Sequence, residues 1–240
     1  MEKMLASGRF HVLCYDENGN LKWEEGNDNL VVNAGIQYMA GVALTGTTQI
    51  LNAGWYLGLV ANAGTTTTFA AADTMSSHAG WNEFIGYSQS TRVSPSFTAA
   101  TNANPSVVTN ASPAVFSISS AAAFTSTGSS ISGTTLTIGT LVTGGVTPGQ
   151  IITGTGVTAG TYIVSGSGST WTVSPSQTVA STAISSTSAV IAGAFLTSGS
   201  AKSGTTGTLF SGSDFTGGDR TVVNGDTLNV TYTFSLTAAT

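Results

Sequence analysis

The clearest pattern along the chain is a strict alternation near its C-terminus. Leu228, Val230, Tyr232, Phe234 and Leu236 occupy every second position, with Asn229, Thr231, Thr233 and Ser235 between them, directly after the tight-turn sequence Asn224-Gly225-Asp226. A period of two places the apolar side chains on one face of a strand and the polar ones on the other, so this segment predicts a long strand buried on one side. Near the N-terminus, GRFHVLCYD (8–16) runs into the turn Asn18-Gly19-Asn20 and returns through Leu21, Lys22 and Trp23, which predicts a hairpin. One helix is expected over about Asn33 to Leu44, where Ile36, Met39, Ala40 and Ala43 recur at helical spacing. Gly35 and Gly41 weaken it. Trp55 to Val60 and Phe84 to Ser88 read as strands separated by a long loop that carries DTMSSHAGW (73–81). AVFSIS (114–119) and AVIAGAF (189–195) read as two more.

Residues 131–179 have a different texture. Short runs of β-branched residues alternate with Gly, Pro and Ser, the mark of a small all-β unit. Leu136 and Ile138 alternate with Thr135 and Thr137, and Trp171 and Val173 with Thr170 and Thr172, so each run has an apolar face and a hydroxyl face. Gly144, Gly145, Pro148 and Gly149 mark one turn; Gly166, Ser167 and Gly168 mark another. Four to six short strands are expected. The flanks SSAAAFTSTGSS (119–130) and ASTAISSTS (180–188) have the low complexity of linkers. Residues 1–119 and 188–240 are therefore read as two parts of one host domain, and 120–187 as an inserted Thr/Gly/Ser-rich β module with its linkers. The expected fold class is all-β: a β-sandwich or jelly-roll-like host domain with one short helix, and a small inserted β-sandwich-like module.

Composition sharpens this picture. Only 7% of the 240 residues are charged, against roughly 25% in an ordinary soluble domain. The 40% hydrophobic content still suffices for a core, and the 30 glycines show no collagen-like period. Every Lys, Arg, Asp and Glu lies within residues 2–92 or 202–226. The block 93–201 therefore offers neither acid nor base, nor a side-chain carboxylate for a hard cation. A net charge of −5 without a basic stripe argues against nucleic-acid binding. Cys14 is the single cysteine, so no intramolecular disulfide can form. MEKMLASGRF does not read as a secretory signal and no apolar run is long enough to span a membrane, so synthesis in a cytoplasm is expected, with no membrane partner.

Candidate chemistry is sparse. His11 and His78 are too few for a three-histidine zinc site, and Gly166-Ser167-Gly168, the nearest approach to a nucleophile elbow, lies in a polar turn. No enzyme activity is expected, and no catalytic, cofactor-binding or metal residue is assigned. Asp73, His78 and Glu83 beside Trp81 read either as a metal or acid-base site or, preferably, as a turn cap, a loop polar group or subunit contact, and a core tryptophan. Asp214 and Asp219, with Asp226 nearby, invite a calcium reading, but solvated turn aspartates account for them better. Glu24, Glu25 and Asp28 read as an exposed acidic face, able to pair with a basic neighbour in an assembly. Trp55, Tyr56, Trp81 and Tyr87 suggest a sugar platform, although Trp55 and Tyr87 sit in strand-like runs where burial is the default. Tyr162 and Trp171 are too few rings for a stacking surface in the module.

Several segments carry a resemblance. Asn33-Ala34-Gly35-Ile36, WYLGLVANAG (55–64), DTMSSHAGW with Glu83, Tyr87 and Arg92, and GDRTVVNGDTLNVTYTFSLT (218–237) resemble small virion structural proteins of tailed bacteriophages, over about 170 residues of the host domain. TGTGVTAGTYIVS (153–165) looks like the Thr/Gly-rich β modules that recur as insertions in phage capsid, tail and fibre proteins. The resemblance implies a capsid decoration or cement protein on the outer surface of the head. Its partners would be the major capsid protein and other copies of itself, as a dimer or trimer. The alternative it leaves open is a tail or fibre-associated protein that contributes to glycan or protein binding on the host surface. A polysaccharide hydrolase would need paired carboxylates on rigid strands, whereas most acids here fall in turn-like segments.

Overall fold

A computed structural model describes residues 3–61 and 67–239, so positions 62–64 of the WYLGLVANAG segment lie outside the described residues. The strands of the first half are β1 (Lys3–Tyr15), β2 (Leu21–Asp28), β3 (Leu30–Val31), β4 (Tyr56–Ala61), β5 (Asn82–Phe84), β6 (Ser106–Thr109), β7 (Ala114–Ser117) and β8 (Thr125–Thr137). Those of the second half are β9 (Thr140–Thr143), β10 (Ile152–Gly154), β11 (Tyr162–Ser167), β12 (Thr170–Ser186), β13 (Val190–Thr197), β14 (Leu209–Asp214), β15 (Arg220–Thr221) and β16 (Thr227–Ala239). The fold is all-β and sandwich-like, with one short helix, α1 (Asn33–Ala40), that continues as a π-helical turn over Gly41–Thr45.

Two sheets make the sandwich. In the first, β16 pairs antiparallel with β1 from Thr227↔Tyr15 to Ala239↔Lys3, β2 flanks β1, and β7 and β6 follow one another along the other edge of β16. The second runs β3-β14-β13-β4-β5, with β15 also on β13. Phe10, Val12, Phe116, Leu228, Val230 and Tyr232 of the first sheet meet Leu57, Leu59, Ile191 and Leu196 of the second in one core. The alternation of β16 is thus spent on this core as far as Tyr232. Phe234 and Leu236 are only half-buried, because there β16 leaves the sandwich alongside the exposed residues Lys3–Ser7 of β1.

The second sheet is buried on both faces. Val60, Ala192, Phe195 and Leu209 point away from the sandwich core into a third layer with Val32, Met75 and Trp81, supplied by the chain before α1 and by the 67–81 segment. This accounts for the unbroken apolar run at 189–196, which a one-sided strand would interrupt with polar residues.

The third sheet, β10-β12-β8-β9 with β11 also on β12, encloses its own cluster, including Phe124, Ile131, Leu136, Ile163, Trp171 and Ile184. Its five strands match the expected number, but β8 and β12 are 13 and 17 residues long. Residues 125–130 and 180–186 consequently belong to strands and not to linkers. β8 and β12 pair directly there, at Thr125↔Ser185 and Ser126↔Ile184. Serine can lie inside such a strand when its hydroxyl is satisfied: Ser126 Oγ donates to the Ile184 carbonyl at 3.0 Å and lies 2.7 Å from Ser129 Oγ, which accepts from Gly139 N at 3.1 Å.

Two further expectations need correction. The strand placed at 84–88 lies earlier, at Asn82–Phe84, and Tyr87 makes one isolated bridge to Ile118. The helix exists, but of its four spaced apolar residues only Met39 packs on the core. Gly35 is its buried residue, and a Cβ there would lie 2.4 Å from the Phe210 carbonyl oxygen, so only glycine permits this approach of helix to strand. Ile36, Ala40 and Ala43 are exposed instead.

Candidate functional site

The two cations that bound the neutral block, Arg92 and Lys202, both tie the 199–204 stretch to residues 83–92. Arg92 donates through Nε to Glu83 Oε1 at 2.9 Å and through Nη2 to Glu83 Oε2 at 2.8 Å. Its remaining bonds go to the carbonyls of Gly199 at 2.8 Å and Gly204 at 3.0 Å, while Ser203 N donates to Glu83 Oε2 at 2.7 Å. Lys202 donates to the carbonyls of Tyr87 at 2.5 Å and Ile85 at 3.2 Å, with its ammonium 3.9 Å from the centroid of the Tyr87 ring. These groups staple the β13–β14 connection onto the chain between residues 83 and 92. Both guanidinium and carboxylate are buried and saturated with partners, so neither is available as an acid, base or ligand.

Asp73, His78 and Glu83 do not converge. Asp73 Oδ2 accepts from Ala70 N and from Trp81 Nε1, each at 3.0 Å, so it caps a turn and orients the buried indole. His78 stacks on that indole with ring centroids 3.8 Å apart, and its Nδ1 lies 3.0 Å from the Trp81 carbonyl oxygen. Glu83 turns to Arg92 instead. Among the described residues no three His, Cys, Asp or Glu side chains are grouped to hold a metal ion. Trp55, Trp81 and Tyr87 are buried and Tyr56 half-buried, which leaves these rings no open stacking platform; Trp171 is buried as well, its Nε1 donating to the Gly168 carbonyl.

The acidic residues separate by strand face. Glu24 and Asp28 are exposed and lie against His11 and Arg9, at 2.7 Å and 3.3 Å. Glu25 corrects the expectation of an exposed patch: it sits opposite Val12 on the inner face of β2, is buried, and accepts from Arg220 Nε at 2.6 Å. Asp226 is buried, pairs with Lys22, which is itself exposed, and accepts from Val223 N at 2.9 Å, closing the turn that starts β16. Cys14 lies fully in the core, where burial, reinforced by the Asp226 charge, pushes its thiol up to about 12 and leaves it unreactive.

Asp214 is not a solvated turn residue either. It ends β14 half-buried, and burial together with the neighbouring Asp219 charge pushes its carboxyl up to about 6. A folded-state value above the unfolded one means that ionisation opposes folding: the penalty is absent below about pH 4, grows as pH rises toward about 6 and stays constant above it. Asp214→Asn is therefore expected to leave the melting temperature unchanged at pH 4 and to raise it at pH 8, by on the order of 2 °C after allowance for solvent screening. Thermal melts of both proteins across that range check the sign.

What remains is surface chemistry, which the sequence reading left unassigned. On the outer face of the third sheet, Thr135 and Thr137 of β8 stand opposite Thr172 and Thr170 of β12, which stand opposite Ser165 and Ser167 of β11. At the sheet's other end a second row crosses four strands, with Thr153 and Ser185 hydroxyls 3.3 Å apart and those of Thr125 and Thr143 2.8 Å apart. The first sheet carries similar pairs, Ser7 with Ser235 at 2.8 Å and Thr109 with Thr233 at 3.0 Å. The signal was the Thr-x-Thr alternation itself, whose polar face needs neighbouring strands before it becomes a two-dimensional array. Comparison with protein-family models, with curated proteins and with solved structures finds no match to this chain.

Proposed function

We propose that the chain is a structural component of a tailed-phage particle, a decoration or cement protein of the capsid that acts by adhesion. The observation that carries this reading is how the scarce charges are used. Arg9, Lys22, Arg92 and Arg220 are each engaged with an acid of the same chain, and Lys202 with backbone carbonyls, while broad outer faces of the sheets present uncharged Ser and Thr hydroxyls. The third sheet's outer face, unlike the first sheet's with its exposed Arg9–Asp28 and His11–Glu24 pairs, pairs through hydrogen bonds and close packing without stripping water from ions. That suits a subunit that sits against repeated neighbours, and the sequence resemblance of the host segments points the same way. Binding across neighbouring capsid subunits, and to other copies of itself, would stabilise the assembled lattice by mass action. The buried state of Trp55, Trp81 and Tyr87 weighs against the tail or fibre alternative, since a glycan reader needs exposed rings.

Particle composition tests the reading. Gel densitometry of purified virions, with imaging of the intact particle, is expected to give hundreds of copies on the head. A dozen or fewer, located at the tail, replaces it with the alternative. Release of sugar ends from capsular polysaccharide by the purified protein overturns the non-enzymatic part.

A further inference from the structure

The outward stripe of the helix finds no cover within the described chain. Ile36 is 50% exposed, Leu44 85% and Leu51 74%, and Ala40 and Ala43 are exposed beside them. Ile36 and Ala40 stand one turn apart on α1, and Ala43 and Leu44 follow in the π-helical turn that continues it. The opposite face is already committed: Gly35 lies on the Phe210 backbone, and the Tyr38 ring meets Trp55 edge-on at 5.4 Å while its hydroxyl accepts from Ile50 N at 2.7 Å. An amphipathic helix that turns its apolar stripe to water marks a contact with another molecule.

Charge selects the occupant. Residues 29–72 contain no Lys, Arg, Asp, Glu or His, whereas the chain as a whole carries −5. Two copies repel over much of their surface, yet can approach here without ionic repulsion. A charged partner, by contrast, finds nothing to pair with. We infer that this face binds the same face of a second copy, helix against antiparallel helix across a two-fold axis near Ala40. In that register Ile36 of each helix meets Leu44 of the other. The small, exposed Ala40 lies at the centre, where the axes come closest, and the contact is isologous, as a two-fold interface must be. The inference deepens the proposed function by giving the self-contact a location, and it can fail separately. A monomer that decorates heads sinks the interface alone, and a dimer absent from heads sinks the assignment alone.

Sedimentation equilibrium on the purified chain tests it. At about 100 µM the wild type is expected at the mass of two chains, a weak pairing that a lattice reinforces through multivalency. Ile36→Lys and Leu44→Glu are each expected at the mass of one chain, with melting temperatures equal to the wild type's at a dilution where it too is monomeric, because both positions are exposed in the single chain. An equimolar mixture of the two variants is expected to recover dimer, since lysine at 36 then faces glutamate at 44 across the axis. A wild type that stays monomeric at about 100 µM, or a Leu44→Glu variant that stays dimeric, overturns the interface. A mixture that stays monomeric overturns the antiparallel register.

Discussion

Arg92→Ala is expected to lower the stability of the folded chain by about 3–5 kcal/mol, among the largest effects of any single substitution in it. The reason is what the substitution leaves behind. Glu83 remains buried, its oxygens 2.8–2.9 Å from positions the guanidinium has vacated, with Ser203 N as its remaining hydrogen-bond donor. The carbonyls of Gly199 and Gly204 lose their donors at the same time, so the β13–β14 connection is released together with the ion pair. Urea unfolding followed by tryptophan fluorescence measures this as a fall in midpoint at nearly constant slope. Replacing both members, Glu83→Leu with Arg92→Met, is expected to cost less than the sum of the single changes, because no uncompensated charge is then buried. A loss below about 1 kcal/mol for Arg92→Ala would place the pair in solvent and sink this account.

The same pair explains part of what the sequence disclosed and what it withheld. Arg92 and Lys202 are visible as the limits of a 109-residue stretch without charge. Nothing in their spacing says that both close on the segment between Glu83 and Arg92, because that contact is made only when β13 pairs with β4 and β14. Where burial follows local period it is legible in the sequence, as along Leu228, Val230 and Tyr232. Where a neighbour decides, it is not. Glu25 follows the inward phase of β2, and its burial depends on Arg220, far away in sequence. Ser126 and Ser129 look like linker residues until Ile184 and Gly139 satisfy their hydroxyls. The helix was legible by its spacing, but its buried face only in part: Met39 packs on the core, whereas the closest approach is made at Gly35, and a glycine carries no apolar signal. For the candidate site, the Thr-x-Thr alternation marked a hydroxyl face on each run, whereas the rows of hydroxyls need the register of β8, β11 and β12.

Phe195→Ala is expected to destabilise by about 3–5 kcal/mol, through loss of the side chain around which the third layer is built. Phe195 stands in the central strand of its sheet, directly opposite Gly58 on β4 and Gly212 on β14. Both glycines are needed for their lack of a side chain: a Cβ on Gly58 would lie 2.2 Å from the Phe195 ring, and one on Gly212 2.0 Å from the Phe69 ring. The space they leave holds a row of rings, Phe69 and Trp81 at 5.0 Å and Trp81 and Phe195 at 4.9 Å between centroids, with the Arg92 guanidinium 5.3 Å from the Phe195 centroid. Gly212→Val is expected to cost less, about 1–3 kcal/mol, because Phe69 is half-buried and can swing outward, whereas nothing refills the volume of Phe195. Trp81 reports on both. Its emission should shift to the red in Phe195→Ala, where its ring loses a neighbour, and less in Gly212→Val. Since Arg92 touches the same ring, Arg92→Ala combined with Phe195→Ala should fall short of additivity, as two losses taken from one enclosed cluster. Strict additivity would mean that the ion pair and the ring row are held independently.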